Sequence, residues 1–147
     1  MRAVGIDLGG RRIGVAVSDP AGTVATAREV IQRSGDPAQD HRRLAEIVEE
    51  VDAEIVVIGL PLSLTGDIGP AAKAVAAEVE AIAAAVGVPV ETQDERLSTV
   101  SAERSLSNLA LKAPARRQVV DMVAAAVILQ SWLDRRRHPH SPPEATR

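Results

Sequence analysis

Two alternating segments near the N-terminus limit the fold more than anything else in the chain. Residues 3 to 8 (Ala-Val-Gly-Ile-Asp-Leu) and 13 to 17 (Ile-Gly-Val-Ala-Val) set branched apolar residues against small or polar ones, with only Gly9-Gly10-Arg11-Arg12 between them. A period of two on both sides of a short glycine-containing link is the pattern of a β-hairpin. A turn at Asp19-Pro20-Ala21-Gly22 then leads into residues 23 to 31, whose β-branched side chains predict a third antiparallel strand. The chain opens as a three-stranded meander, and whatever follows has to be added to its edge.

The period changes after the loop Ser34-Gly35-Asp36-Pro37. Leu44, Ile47, Val48 and Val51 fall at helical spacing, with Arg42, Arg43, Glu46, Glu49 and Glu50 on the other side. Residues 55 to 58 form a continuous apolar run ending at Gly59, as expected of a buried parallel strand. Residues 70 to 86 are Ala-rich, with Val75, Val79, Ile82 and Val86 on one stripe and Gly87 to close it, so a second helix is predicted. Residues 88 to 92 read as a fifth strand, followed by helical stretches at about 98 to 106 and 115 to 137. Right-handed crossovers make the fourth and fifth strands parallel to the first, giving an α/β fold with a five-stranded mixed sheet of order 3-2-1-4-5 flanked by helices. Ligands of such open sheets collect beyond the carboxyl ends of the parallel strands.

At 147 residues and 15.4 kDa, one hydrophobic core suffices, and 46% hydrophobic with 25% charged residues is ordinary globular usage. We expect one domain over residues 1–137 and a disordered polar tail at 138–147, which holds Pro139, Pro142 and Pro143. There is no cysteine, so disulfides, thiolate zinc sites and cysteine nucleophiles are excluded. The N-terminus does not read as a signal peptide, and the longest apolar run, residues 122 to 129, falls far short of the roughly 20 residues of a membrane span. A soluble cytoplasmic protein is the expectation.

The net charge of −3 hides a segregation. Residues 36 to 95 carry three bases and thirteen acids, and residues 96 to 147 carry nine bases and four acids. A basic C-terminal third points to a polyanion partner. Trp132 is the lone aromatic residue, which counts against stacking of unpaired bases on rings. Fifteen of the seventeen bases are Arg, suited to bidentate phosphate contacts, although a compositional bias toward Arg and Ala accounts for this equally well.

Three acids lie where a charge is costly. Asp7 sits inside the first strand, Asp121 interrupts an almost wholly apolar helix, and Glu95 follows the last strand. An ionised carboxylate taken out of water costs several kcal/mol unless it is paired or ligates a metal. Each has a bland alternative: Arg117 one turn before Asp121, the Gly9 or Gly10 amides beside Asp7, and a surface pair of Glu95 with Arg96. Taken together, two carboxylates at neighbouring strand ends and one from a helix on the same sheet make an all-oxygen donor set suited to Mg²⁺ or Mn²⁺. Such sites cut phosphodiesters. Arg116 and Arg117, in the first turn or so after Pro114, oppose the helix dipole, and a bound phosphate would relieve that conflict.

These residues also carry a resemblance. Gly5-Ile6-Asp7-Leu8-Gly9, Gly59-Leu60-Pro61-Leu62 with Gly66, Asp94-Glu95-Arg96-Leu97-Ser98-Thr99, and the helix from Asp121 to Gln130 together resemble the YqgF family over about residues 1 to 137. The resemblance implies an RNase H-like fold and a nuclease taking part in 5′-end maturation of pre-16S ribosomal RNA, in a family also described as Holliday junction resolvases. By matching position it implies that Asp7, Glu95 and Asp121 are the acidic metal-binding triad, with Asp94 a helper. Family members often carry Lys before the helix Asp, where Lys112, Arg116 and Arg117 are the bases available here. Together with Arg11 and Arg96 these are the candidate nucleic-acid contacts.

Around these motifs, Gly59 permits close backbone approach to a ligand, while Ser63, Thr65 and Gly66 offer donors to a phosphate or serve as ordinary loop residues. Ser98 and Thr99 read as helix N-caps, and His41, His138 and His140 show no metal-ligand spacing. Two other classes of function compete. An actin-like ATPase or sugar kinase shares the Gly5-to-Gly10 pattern, but it needs two such domains. A non-catalytic RNA-binding ribosome-assembly factor keeps the fold but leaves the three acids without a purpose. Structured RNA and branched DNA both fit backbone recognition, and a junction resolvase is expected to act as a homodimer.

Overall fold

Gly9 closes the first hairpin. Its N–H donates to the Arg12 carbonyl at 2.9 Å, and a Cβ there would stand 2.7 Å from that same oxygen, so no larger residue fits without moving the backbone. The hairpin joins β1 (Ala3–Leu8) to β2 (Arg12–Ser18), paired antiparallel from Val4↔Val17 to Leu8↔Ile13. The computed structural model describes residues 1–62, 67–95 and 114–137, with side chains of the last segment from Met122 onward. The expected helix at 98–106, the tail at 138–147, and Ser63, Thr65, Gly66, Arg96, Ser98, Thr99 and Lys112 lie outside the described residues.

The third strand begins later than its composition indicates. The Asp19 carboxylate accepts from Thr23 N at 2.7 Å, Thr23 Oγ1 at 2.6 Å and Val24 N at 3.1 Å, so both residues belong to the turn. Consequently β3 runs Ala25–Gln32, antiparallel to β2. Asp36 then caps α1 (Pro37–Glu50), accepting from Ala38 N at 3.1 Å, with Pro37 in the first helical turn where its missing N–H costs nothing.

The remaining elements are β4 (Ile55–Leu60), α2 (Pro70–Ala85), β5 (Val90–Asp94) and α3 (Pro114–Arg137). The sheet order is β3-β2-β1-β4-β5, with β4 and β5 parallel to β1, as expected. The bounds of the last two strands also differ from the sequence reading. β4 continues through Gly59 to Leu60, and β5 starts at Val90 rather than residue 88, ending at Asp94 opposite Leu60. Pro89 has no N–H to give a ladder, and its carbonyl accepts from Val56 N at 3.0 Å, so strand pairing begins after it.

Alternation sorts the core into two layers. Val4, Ile6, Ile13, Val15, Val56 and Ile58 face α1 and α2, meeting Leu44, Ile47 and Ile82. Ala3, Ala16, Ile55 and Val57 face α3 and meet Ala125, Ile128, Leu129, Trp132 and Leu133. The α3 side of the sheet is built from small residues because the helix lies close. A Cβ on Gly5 would be 2.6 Å from Leu129 Cβ and 3.0 Å from the Ala125 carbonyl oxygen.

Candidate active site

Asp7 is the penultimate residue of β1, opposite Gly14 of β2, and is 3% exposed. Its direction follows from its neighbours: Val4 and Ile6 belong to the layer of α1 and α2, whereas Ala3 and Gly5 face α3, so Asp7 faces α3 as well. Of the two amides in the expected turn-edge role, the Gly9 N–H donates instead to the Arg12 carbonyl.

Glu95 directly follows β5 and is 5% exposed, so it does not lie on the surface, while Arg96, its expected partner, is outside the described residues. On β5 the α3-facing side is marked by two contacts. Trp132 Nε1 donates to Glu91 Oε1 at 3.3 Å, and Gln93 Nε2 donates to Ser131 Oγ at 3.0 Å. Glu95 stays on that side: its Cγ lies 3.3 Å from where a Cβ on Gly59 would be. Asp94, one residue earlier, falls by alternation on the opposite face with Val90, which packs against the α1–α2 layer. It therefore stands in β5 rather than past it, turned away from Glu95.

Gly59 lies on the strand between the two acids. Ile58 pairs with Ile6 of β1, so the next residue brings Gly59 alongside Asp7, while on the other edge Gly59 pairs with Gln93. On the α3 side of the sheet Gly59, without a side chain of its own, stands between Asp7 and Glu95. The close approach that this glycine permits is thus made by Glu95 and by Ile128, whose Cδ1 would be 2.5 Å from a Cβ. Sequence reasoning assigned it to a ligand.

Asp121 is placed by helix register. It stands one turn before Ala125 and two turns before Ile128, on the stripe of α3 that covers Gly5 and Gly59. Its side chain, like those of Arg116 and Arg117 in the first turn of α3, lies outside the described residues, as does the proposed Arg117 pairing. Among the described residues no cluster of three His, Cys, Asp or Glu side chains is arranged to hold an ion. Arg11 is exposed in the hairpin loop, at the same end of the sheet as Asp7. Among the described residues no helix is long and apolar enough to cross a membrane.

One group of polar residues escaped the sequence reading. Arg33, Glu78 and His41 come from β3's exit, α2 and α1 and meet beside the Gly9 loop. Nothing in their local spacing signals this, because the partners are 24 to 45 residues apart.

A protein from Mycobacterium sp. (strain KMS) named "Putative pre-16S rRNA nuclease" is 48% identical over 137 residues, 92% of this chain and 81% of its own length. One of the same name from Pelotomaculum thermopropionicum is 42% identical over 139 residues, covering 95% of this chain and 90% of that protein. Among solved structures, Thermus thermophilus RuvC in complex with a Holliday junction substrate superposes with a TM-score of 0.57 at 21% identity, over 93% of this chain and 96% of that one. A second RuvC structure from the same organism gives 0.54 at 19% identity, over 94% and 97%. These likenesses establish the RNase H-like fold that RuvC has. The family model described as RuvX, Holliday junction resolvase, matches residues 1–135, a span that holds both strand-end acids and the helix acid, and the chain therefore belongs to that RuvX (YqgF) family of nucleases.

Proposed function

We propose that this chain hydrolyses phosphodiester bonds of structured RNA with Mg²⁺ or Mn²⁺ held by Asp7, Glu95 and Asp121, in 5′-end processing of pre-16S ribosomal RNA. The observation that supports it most is that two buried acids, Asp7 and Glu95, stand on the α3 side of the sheet at the ends of β1 and β5, on either side of Gly59. The donors fit a hard divalent cation: all are carboxylate oxygens, the chain has no cysteine, and His41 is engaged by Glu78 on the other side of the sheet.

An ion bound there supplies the positive charge that activates a water and steadies the departing oxygen of the phosphodiester. The chain's own residues do the rest. Asp7 and Glu95 are held at the ends of β1 and β5, on either side of β4, so these donors are placed before substrate arrives. Ile128 and Leu129 seal the sheet beneath them against water. Arg11 at the hairpin tip, with Arg96, Lys112, Arg116 and Arg117, engages the phosphate backbone and positions the strand. The catalytic unit in this reading is residues 1–137, with 138–147 a polar tail, and its workplace is the cytoplasm, where precursor rRNA is made.

A second reading is supported by the family description and by the junction bound to RuvC: resolution of four-way DNA junctions by a homodimer. The discriminating experiment is Mg²⁺- or Mn²⁺-dependent cleavage by the purified protein, beside Asp7→Asn, on a structured precursor rRNA fragment and a four-way junction. Asp7→Asn keeps the shape and removes the charge, so it is expected to fold and to lose all detectable cleavage. RNA cutting alone supports the processing role, and junction cutting alone moves the assignment to recombination. Binding to either with no metal-dependent cut overturns the catalytic reading and leaves an RNA-binding assembly factor.

A further inference from the structure

The loop that follows Asp7 contains two glycines, Gly9 and Gly10, the most costly residues to hold in one conformation. A residue beyond β3 fastens it from outside. Arg33, just beyond β3, donates from its backbone N–H to the Arg11 carbonyl at 3.0 Å and from Nε to the Gly9 carbonyl at 2.8 Å. The rest of its guanidinium is held in turn. NH1 and NH2 donate to the two oxygens of Glu78 on α2 at 2.8 and 2.9 Å, a bidentate pair. His41 of α1 closes the network, with Nε2 2.7 Å from Glu78 Oε2.

This network is an expensive way to join three elements. The Glu78, His41 and Arg33 side chains are only 18%, 7% and 20% exposed, and apolar residues of similar volume often do as well or better for stability in such places. The Arg11 carbonyl is held by a backbone N–H that an apolar residue would also supply, but what no apolar side chain can do is donate to the Gly9 carbonyl and tie it to α2. Burial pushes the Glu78 carboxyl upward, but hydrogen bonds from Arg33 and His41 outweigh it and hold the group below the ordinary carboxylate range. The same pairing raises Arg33 above its usual value. The Arg33–Glu78 pair is therefore ionised throughout the neutral range.

We propose that Arg33, held by Glu78 and His41, is a positioning residue for the Asp7 carboxylate, acting through the Gly9–Arg11 loop; this rests on the nuclease reading of Asp7. Residues that orient a metal ligand without touching the ion commonly change metal affinity or activity by about 10–100-fold when replaced.

The test uses the full chain with Arg33→Lys, which keeps the charge but loses Nε and the fork, and Glu78→Gln, which keeps the shape. Three quantities are read: ¹⁵N relaxation of the Gly9, Gly10 and Arg11 amides, uptake of Mn²⁺ alone, and steady-state cleavage of whichever nucleic acid the wild type cuts. Both variants are expected to fold, to show faster motion at the three amides, and to lose about 10–100-fold in kcat or Mn²⁺ affinity. KM for the nucleic acid is expected to rise as well, because the loosened loop carries Arg11. Unchanged amides in both variants overturn the clamp, as do loosened amides with kcat and Mn²⁺ affinity intact. A wild type that neither cuts nor takes up Mn²⁺ fails the nuclease reading and the positioning role together, which separates the two failures.

Discussion

Gly5 and Gly59 both lie under α3, yet replacing them should have different consequences. A Cβ at position 5 meets the Cβ of Leu129 at 2.6 Å and the Ala125 carbonyl oxygen at 3.0 Å, near-rigid atoms that move only if the helix moves. At position 59 the shortest contact, 2.5 Å, is to Ile128 Cδ1, the end of a side chain, with Glu95 Cγ at 3.3 Å. Overpacking of this kind costs about 1–3 kcal/mol, occasionally more. Gly5→Ala is expected at the upper end and Gly59→Ala at the lower, measured by urea denaturation. Activity should rank the other way at equal folded fraction, since only the second change displaces an acid of the proposed site. Loss of activity no greater in Gly59→Ala than in Gly5→Ala would argue against a role for Glu95.

Among the elements, the turn between β2 and β3 is organised by one carboxylate. The Thr23 hydroxyl, followed by the Val24 and Thr23 amides, holds Asp19 down to a pKa of about 2, against an ordinary 3.8. A carboxyl depressed in the folded state adds stability that is complete above its unfolded value and disappears as pH falls through the folded one. The stability difference between wild type and Asp19→Asn should therefore be constant above about pH 5 and shrink between about pH 4 and 2, as followed by chemical denaturation at each pH. A constant difference down to pH 2 would contradict the assignment. Helix α3 stabilises a whole face of the sheet: Leu129 is fully buried between Gly5 and its cluster. Leu129→Ala should cost about 2–5 kcal/mol in unfolding free energy, from lost burial and the cavity left behind.

For the whole molecule the charge distribution matters most. The α1 layer presents exposed Glu46, Glu49, Glu50 and Asp52 to solvent, on the side of the sheet away from Asp7 and Glu95. The basic C-terminal third includes α3, on the same side as those two acids. A polyanion is thus repelled from one face, which orients it toward the other. Binding to a structured RNA or a DNA junction should weaken steeply with salt. The double variant Arg116→Ala, Arg117→Ala should lower the slope of log K against log salt by about two and weaken all sequences alike. An unchanged slope by fluorescence titration would remove both residues from the interface.

Periodicity alone was enough for the order of the described strands and helices, the 3-2-1-4-5 sheet, and the burial of Asp7 and Glu95, because each is a local pattern of apolar and charged residues. Strand ends were misjudged by two residues at β4 and β5, since the extent of a ladder depends on the partner strand: Leu60 continues because Asp94 pairs with it. The same register turns Asp94 away while Glu95 crosses Gly59, a distinction between adjacent acids that their sequence spacing does not contain. The Arg33, Glu78 and His41 clamp lay equally out of reach. Its members belong to elements whose proximity exists only after α1 and α2 pack on one face of the sheet, and hydrogen bonding across such distances leaves no periodic trace along the chain.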